Sequence, residues 1–273
     1  MVLSRNHLIG HPHTYHIQLT TALDQPCFAN AADQAELLAL LERVRSVYDF
    51  RCYAWALAPE RLELVLRHAP PTEDDERLRQ RWLGLGGSAA LSAERLRTRL
   101  GSLGGLMQTL AQRSSAAWHR RHGTRGHLWA GRYRACLLAD DAALLVACAC
   151  CERLPGAVQG SGRTQGRDEE PPPLLAPLPI RSLPDGLVIP ADEAQLGLPH
   201  PLPDAEGQLM HEFVAQIESA LPSYVQALRH GWALGRPESL TDCVGRLGRS
   251  SGRGRSRQVR ELDDELGLCG VWG

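Results

Sequence analysis

RCYAWALAPERLELVLRH, residues 51–68, is the stretch from which the fold can be read. Both halves are rich in β-branched, aromatic and aliphatic side chains, and Ala58-Pro59-Glu60 between them is a compact turn. Arg51 to Leu57 and Arg61 to His68 are therefore predicted as two short strands. Upstream, Leu37, Leu38, Leu40, Leu41, Val44 and Val47 recur at helical spacing after Asn30, a residue suited to an N-cap, so residues 31–49 are predicted as an amphipathic helix. Before it, TYHIQLTT at 14–21 alternates and runs into Asp24-Gln25-Pro26, a strand ending in a turn. The order is β-α-β-β. Downstream come a helix over 101–121, a glycine-punctuated loop, a strand near Tyr133 to Ala139, and a helix from Asp140 or Asp141 to Arg153, stopped by Pro155. Strands and helices that do not alternate one to one predict an α+β fold. Its expected form is a ferredoxin-like or RRM-like antiparallel sheet with helices mainly on one face.

The segments between set the domain plan. Residues 70–100 break the pattern with Pro70-Pro71, an acidic patch at 73–76, and Gly- and Arg-rich helical pieces, which read as an insertion. The core is expected to close near residue 158, making 1–158 one domain. Residues 159–208, which begin with the linker-like run GSGRTQGRDEEPPP and continue rich in proline, read as a linker. A C-terminal extension, 209–273, is expected to be partly disordered, with a helical stretch from His211 to Ala227 and a Gly/Arg tail.

Composition narrows the function classes. The 273 residues are 43% hydrophobic, enough for a real core, and carry a formal net charge of -1, so a generally basic protein is excluded. All 30 basic residues are arginine, a bias that a GC-rich coding sequence produces on its own. No apolar run approaches membrane-spanning length and no signal peptide is recognisable, so the expected location is cytoplasmic. Eight cysteines, three of them crowded at Cys148, Cys150 and Cys151, do not form a disulfide framework, and reduced thiols are expected.

Charge distribution is more informative than its sum. Between Arg77 and Arg134 there are twelve arginines against one acidic residue, Glu94, with Trp82, Trp118, Trp129 and Tyr133 interleaved. Such a surface attracts phosphate backbone and can stack unpaired bases; the bland alternative is a solvated helix face with the tryptophans in the core. The densest part is WHRRHGTRGHLWAGRYR, residues 118–134. It resembles, almost position by position, the block FNRRHGRxGHLFQGRYK of the REP-associated tyrosine transposases. Weaker matches follow in the same order: Tyr15-His16-Ile17, residues 53–66, Leu106-Met107-Gln108, residues 140–155, and a Gly- and Arg-rich tail from Leu234 to Arg257. Residues 70–100 and 160–205 are unmatched.

The resemblance implies the HUH-type transposase fold and a DNA-cutting chemistry. That chemistry needs two histidines on one strand face to hold a divalent magnesium or manganese ion, and a tyrosine on the last helix as nucleophile. Where the family reads MPNHYHLLL, residues 58–66 read APERLELVL, placing Arg61 and Glu63 at the histidine positions. Where it reads RYIHLNP, residues 149–155 read ACCERLP, placing Cys150 at the tyrosine. Arginine offers no lone pair, and one carboxylate beside it makes a poor cation site, so no cofactor is expected. His11, His13 and His16 are close in sequence, but His13 and His16 lack the same-face spacing of a strand; Cys148, Cys150 and Cys151, with distant Cys136, lack zinc spacing.

Three readings stay open. The first is a catalytically inactive transposase-like protein that binds hairpin or single-stranded DNA, with RNA as a variant. Arg113, Trp118, Arg120, Arg121, His122, Arg125, His127, Trp129, Arg132 and Arg134 would form its contact surface, joined by Arg253, Arg255 and Arg257 of the tail. The second is an active nicking or strand-transfer enzyme using Glu63, nearby histidines and Cys150. The third is a subunit of a larger complex that holds a protein or RNA partner through residues 70–100 or the extension.

Overall fold

A computed structural model describes residues 13–152, 158–159, 217–246, 258–263 and 266–272. Strand β1 (His13–Thr20) leads through a single 3-10 turn into α1 (Ala31–Tyr48). Asn30 caps that helix as its sequence position implies, its side-chain oxygen accepting from the Asp33 N–H at 2.9 Å. Asp49 ends it in the left-handed conformation, φ 51°. Strands β2 (Arg51–Ala58) and β3 (Arg61–His68) then form the hairpin around Pro59-Glu60.

Residues 70–100 carry the helical pieces expected of them. They form two helices, α2 (Asp75–Gly84) and α3 (Ala93–Leu100), capped by Asp74 and Ser92. Leu78, Trp82, Leu85, Leu96 and Leu100 enter the same hydrophobic cluster as α1 and the sheet. Arg81 donates to the carbonyls of Ser46 and Val47 at the end of α1, where a cation is favoured, and to Glu73. The segment is part of the core, because its apolar residues sit at helical spacing and are buried.

The long helix α4 (Leu103–His122), capped by Ser102, precedes β4 (Arg134–Leu138) and α5 (Asp141–Glu152). Strands β1 to β4 lie in the order β2-β3-β1-β4, every neighbour antiparallel, the split βαβ arrangement expected from the element order. Within β2 the register shifts between Cys52 and Ala54, so Tyr53 and Ala54 both fall on one face.

Helices lie on both faces of this sheet, four on the first and fewer on the second. Ile17, Leu19, Trp55, Leu57, Leu64 and Leu66 pack with α1 to α4 on the first face. Ala54, Ala56, Ala58, Val65, Cys136 and Leu138 pack with α5 on the second. Small side chains are frequent on that second face and in α5 (DAALLVACACCE). Truncating a fully buried leucine of the first face, such as Leu64, removes about 2–5 kcal/mol of stability.

The sheet also runs past residue 158. The two-residue β5 (Val158–Gln159) adds to the outer edge of β2. From the extension come α6 (Leu221–His230), β6 (Ala233–Gly235), α7 (Pro237–Arg246), β7 (Gln258–Asp263) and β8 (Leu268–Trp272). β6 pairs parallel with β4, β8 pairs with β6, and β7 forms the far edge of an eight-stranded sheet. The core therefore does not close near 158, and the extension contributes strands as well as helices. Linker residues 160–208, the first part of the 211–227 stretch and tail residues Arg253, Arg255 and Arg257 lie outside the described residues.

Candidate nucleic-acid interface and a closed polar centre

The basic segment opens as the last turn of α4 and continues as a loop to β4. Gly123 caps the helix at φ 62°, and Gly126 and Gly131 take φ of 120° and 130°, conformations that side-chain-bearing residues avoid. The loop is held from within. Trp129 is buried, donates from its indole N–H to Ser114 Oγ at 2.9 Å, and stacks on Phe28 at 5.5 Å. Backbone bonds from Ala130 N to Thr20 O and from Ala22 N to Leu128 O, each 2.8 Å, pin it to the end of β1. His119 donates from Nε2 to Gly126 O at 3.0 Å while Nδ1 meets the Thr124 hydroxyl at 2.8 Å, a pattern that a single neutral tautomer satisfies.

The expected contact residues divide into two kinds. Trp118 stacks on His122 at 4.4 Å and donates to Cys27 O at 3.3 Å. Trp129 is a buried support for the loop, and Trp118, partly exposed, has a ring face stacked on His122. Arg121 pairs with Glu36 at 3.0 Å and approaches Asp33 at 3.7 Å, and His122 meets Asp33 at 2.9 Å. Those two side chains tie α4 to the start of α1. Arg134 donates to Arg229 O and contacts His230 Nδ1 at 2.9 Å. Arg120, Arg125, His127 and Arg132 are exposed. Arg120 and Arg125 have no partner among the described residues, and Arg132 only leans on the Tyr133 ring at 6.0 Å.

Arg61, Glu63 and Cys150 meet on the second face of the sheet. Register places Gln18 opposite Glu63 and His16 opposite Val65, so His16 reaches Glu63 diagonally, Nε2 to Oε2 at 3.2 Å. Arg61, two residues before Glu63 and on the same face, brings Nε to Oε1 at 3.2 Å, paired as a charge without hydrogen-bond alignment. From α6, Arg229 comes within 3.9 Å of the same oxygen. From α5, the Cys151 sulfur lies within 4.8 Å of the ligand atoms of His16 and Glu63. His16 is 1% exposed and Glu63 3%, so both groups are shut off from solvent. Sequence reasoning missed His16 as the partner of Glu63, and missed Arg229, which carries no local signal because 166 residues separate it from Glu63 (229 − 63).

Electrostatics match the closure. Burial alone would raise the Glu63 carboxyl, but the hydrogen bond and charge of His16 and the charges of Arg61 and Arg229 outweigh it and hold the group below the usual carboxylate range. Burial, reinforced by the Glu63 charge, pushes the Cys150 thiol up to about 12 and the Cys151 thiol well above its ordinary value. Neither sulfur is a thiolate at neutral pH, so neither is an activated nucleophile. His16, Glu63 and Cys151 form the one group of potential metal ligands this close together among the described residues. They do not fit the hard divalent cation that the transposase resemblance implies. That ion wants several oxygen ligands, whereas this group offers one carboxylate, already shared among His16 and two guanidiniums, and a protonated thiol. Among the described residues no helix is long and apolar enough to cross a membrane. Set beside known proteins, the chain matches no family model, no curated protein and no solved structure.

Proposed function

We propose that this chain is a nucleic-acid-binding protein on an HUH-type, transposase-like scaffold, in which the cutting centre has been converted into an internal ion-pair node. Its expected ligand is hairpin DNA with single-stranded flanks, and its place of action the cytoplasm. The observation that carries the reading is the exposed set Arg120, Arg125 and Arg132, without a carboxylate partner among the described residues, presented on the last turn of α4 and the loop after it, whose shape Trp129 and the glycines fix. Guanidiniums without protein partners on a rigid loop bind phosphate with little ordering cost.

Support for the loss of cutting comes from the second face. The positions where the family keeps its metal ligands and nucleophile hold Arg61, Glu63 and Cys150, and α6 of the extension lies over them with Arg229 directed at Glu63. An enzyme reading would need that helix to leave and a buried thiol to ionise.

The test uses the full chain and a labelled palindromic hairpin with single-stranded flanks. The triple variant R120Q/R125Q/R132Q is expected to bind more weakly and to lower the slope of log affinity against log salt by about two, near 0.7 for each single-strand phosphate that is no longer neutralised. Hairpin incubated with magnesium or manganese should stay intact. Unchanged affinity and slope in the triple variant, or a nicked product that requires Glu63 or Cys150, would overturn the proposal.

A further inference from the structure

A second set of arginines lies away from the loop, where α1, α3 and α4 meet. The two long helices run antiparallel, as the pairings at their ends show. At one end the Tyr48 hydroxyl donates to Gly105 O at 2.9 Å and meets Thr109 Oγ1 at 2.7 Å. At the other, Arg121 and His122 of α4 hold Glu36 and Asp33 of α1. Arg43 is five residues back from Tyr48 on α1 and Arg113 four residues on from Thr109 on α4, so each lies one turn or slightly more along its helix from that hydroxyl pair. Arg99 of α3 completes the group, donating to Thr109 Oγ1 at 3.0 Å with its guanidinium over the Trp82 ring at 5.1 Å. The Gly86 turn forms a wall: a Cβ there would stand 3.7 Å from Arg113 Nη1.

This group lacks counter-ions. Helix α4 contains no acidic residue, and none occurs anywhere from 95 to 139. Arg43 and Arg113 have no hydrogen-bond or ion-pair partner among the described residues, and the Nε of Arg99 is buried without one. Burial and then the charges of Arg43 and Arg99 lower the Arg113 pKa, the sign of like charges held together. Guanidiniums gathered in this way, beside a hydroxyl pair and without an ion-pair partner among the described residues, are stabilised when an anion joins them.

We infer that Arg43, Arg99 and Arg113 form a phosphate-binding track for the backbone of a single strand running from the basic loop along the α1–α4 groove. The inference rests on the nucleic-acid reading above and extends its footprint. Arg113 and Arg120 are seven residues apart on α4 and so share one side of the helix. From Thr109 to Arg120 the track spans roughly 16 Å at 1.5 Å per residue, room for about five phosphates at a stacked-strand rise near 3.4 Å. The loop would grip the hairpin and the groove its single-stranded flank.

The probes are the same hairpin with no flank and with flanks lengthened one nucleotide at a time. For the wild-type chain, affinity should climb until the flank reaches about five nucleotides and then level off. R43Q/R113Q should gain less than about threefold from the flank, with its salt slope on the flanked hairpin lowered by about 1.4, two phosphates at 0.7 each. Because neither side chain has a partner among the described residues, Tm should hold or rise; a fall in Tm, checked in R113Q alone, would mark them as structural and overturn the inference. So would a wild-type chain indifferent to the flank, or a double variant that gains from it equally. If the wild type binds neither hairpin nor flank, the underlying nucleic-acid reading itself falls.

Discussion

Arginine does opposite things in two regions of this molecule. At the end of α4 and in the loop after it, Arg120, Arg125 and Arg132 are exposed, with no carboxylate partner among the described residues. On the second face of the sheet, Arg61 and Arg229 converge on the Glu63 carboxylate, which His16 also holds. A solvated guanidinium costs little to leave unpaired and is available to a phosphate. A desolvated one must have its charge answered inside the protein. The open region therefore suits recognition and the closed one cohesion, and substitutions should separate the two by what they damage.

The largest expected effect is at Glu63. Glu63→Ala leaves two guanidiniums facing each other with the carboxylate gone, and breaking a buried pair from one side costs about 3–5 kcal/mol. Urea unfolding should report that loss, and at a temperature where the variant remains folded its hairpin affinity should equal the wild type's. The loop triple variant should behave inversely, losing affinity while keeping its unfolding free energy within about 0.5 kcal/mol. A stable Glu63→Ala, or an unstable loop variant, would break the comparison.

Much of this organisation is legible in the chain, and the reason it stops being legible is physical. Helix α1 with its Asn30 cap, the hairpin around Pro59-Glu60 and the glycine-punctuated basic loop all rest on interactions between near neighbours in sequence. One signal is present and easily under-read: RCYAWALA of β2 is apolar almost without alternation, the pattern of a strand covered on both faces, and β2 is buried along seven of its eight residues. Leu78 with Trp82, and Leu96 with Leu100, likewise sit at helical spacing inside what reads as an insertion. By contrast, β6 beside β4 and Arg229 beside Glu63 are pairings across 90 residues or more. Pairings of that range are chosen by the assembled core and leave no local pattern. The motif positions 61, 63 and 150 fall in between. The sequence could name them, but only the fold showed that they share one enclosure with His16 and α6.

The next effect in size is on acid stability, and it separates the regions by pH. Burial lowers the His68 pKa; the ring is held neutral, donating Nε2–H to Leu100 O at 2.9 Å. Its folded value lies below its unfolded one, so its contribution is intact above about pH 6.5 and is lost as the unfolded chain gains the proton below that. Glu63 is also depressed, so the stability it brings is present above about pH 4.3 and disappears as pH falls through its folded value. Both losses have the same sign and occur in succession on acidification. His68→Gln should flatten the first part of the decline between about pH 7.5 and 5.5, and Glu63→Gln the part below about pH 4.3. A decline unchanged in both variants would place the acid sensitivity elsewhere.

The smallest expected effect concerns Cys150, and it sharpens the comparison most. Its thiol is 5% exposed, and burial with the nearby Glu63 charge pushes its pKa to about 12. At neutral pH only about one such thiol in 10⁵ is ionised, and the thiolate is the reactive form. Iodoacetamide should leave Cys150 unmodified in the native chain and alkylate it once urea opens the fold. Cys150→Ala should bind hairpin as the wild type does and lose about 1 kcal/mol of stability for the atom removed from a packed site. Rapid native alkylation would mean that α6 swings away from the second face, exposing Cys150 and Glu63 together. The closed centre would then be a gated one, and its difference from the loop would be a matter of state. Slow alkylation that tracks global unfolding would instead fix the difference in the fold itself, since α6 could not leave without the sheet strand β6 that follows it.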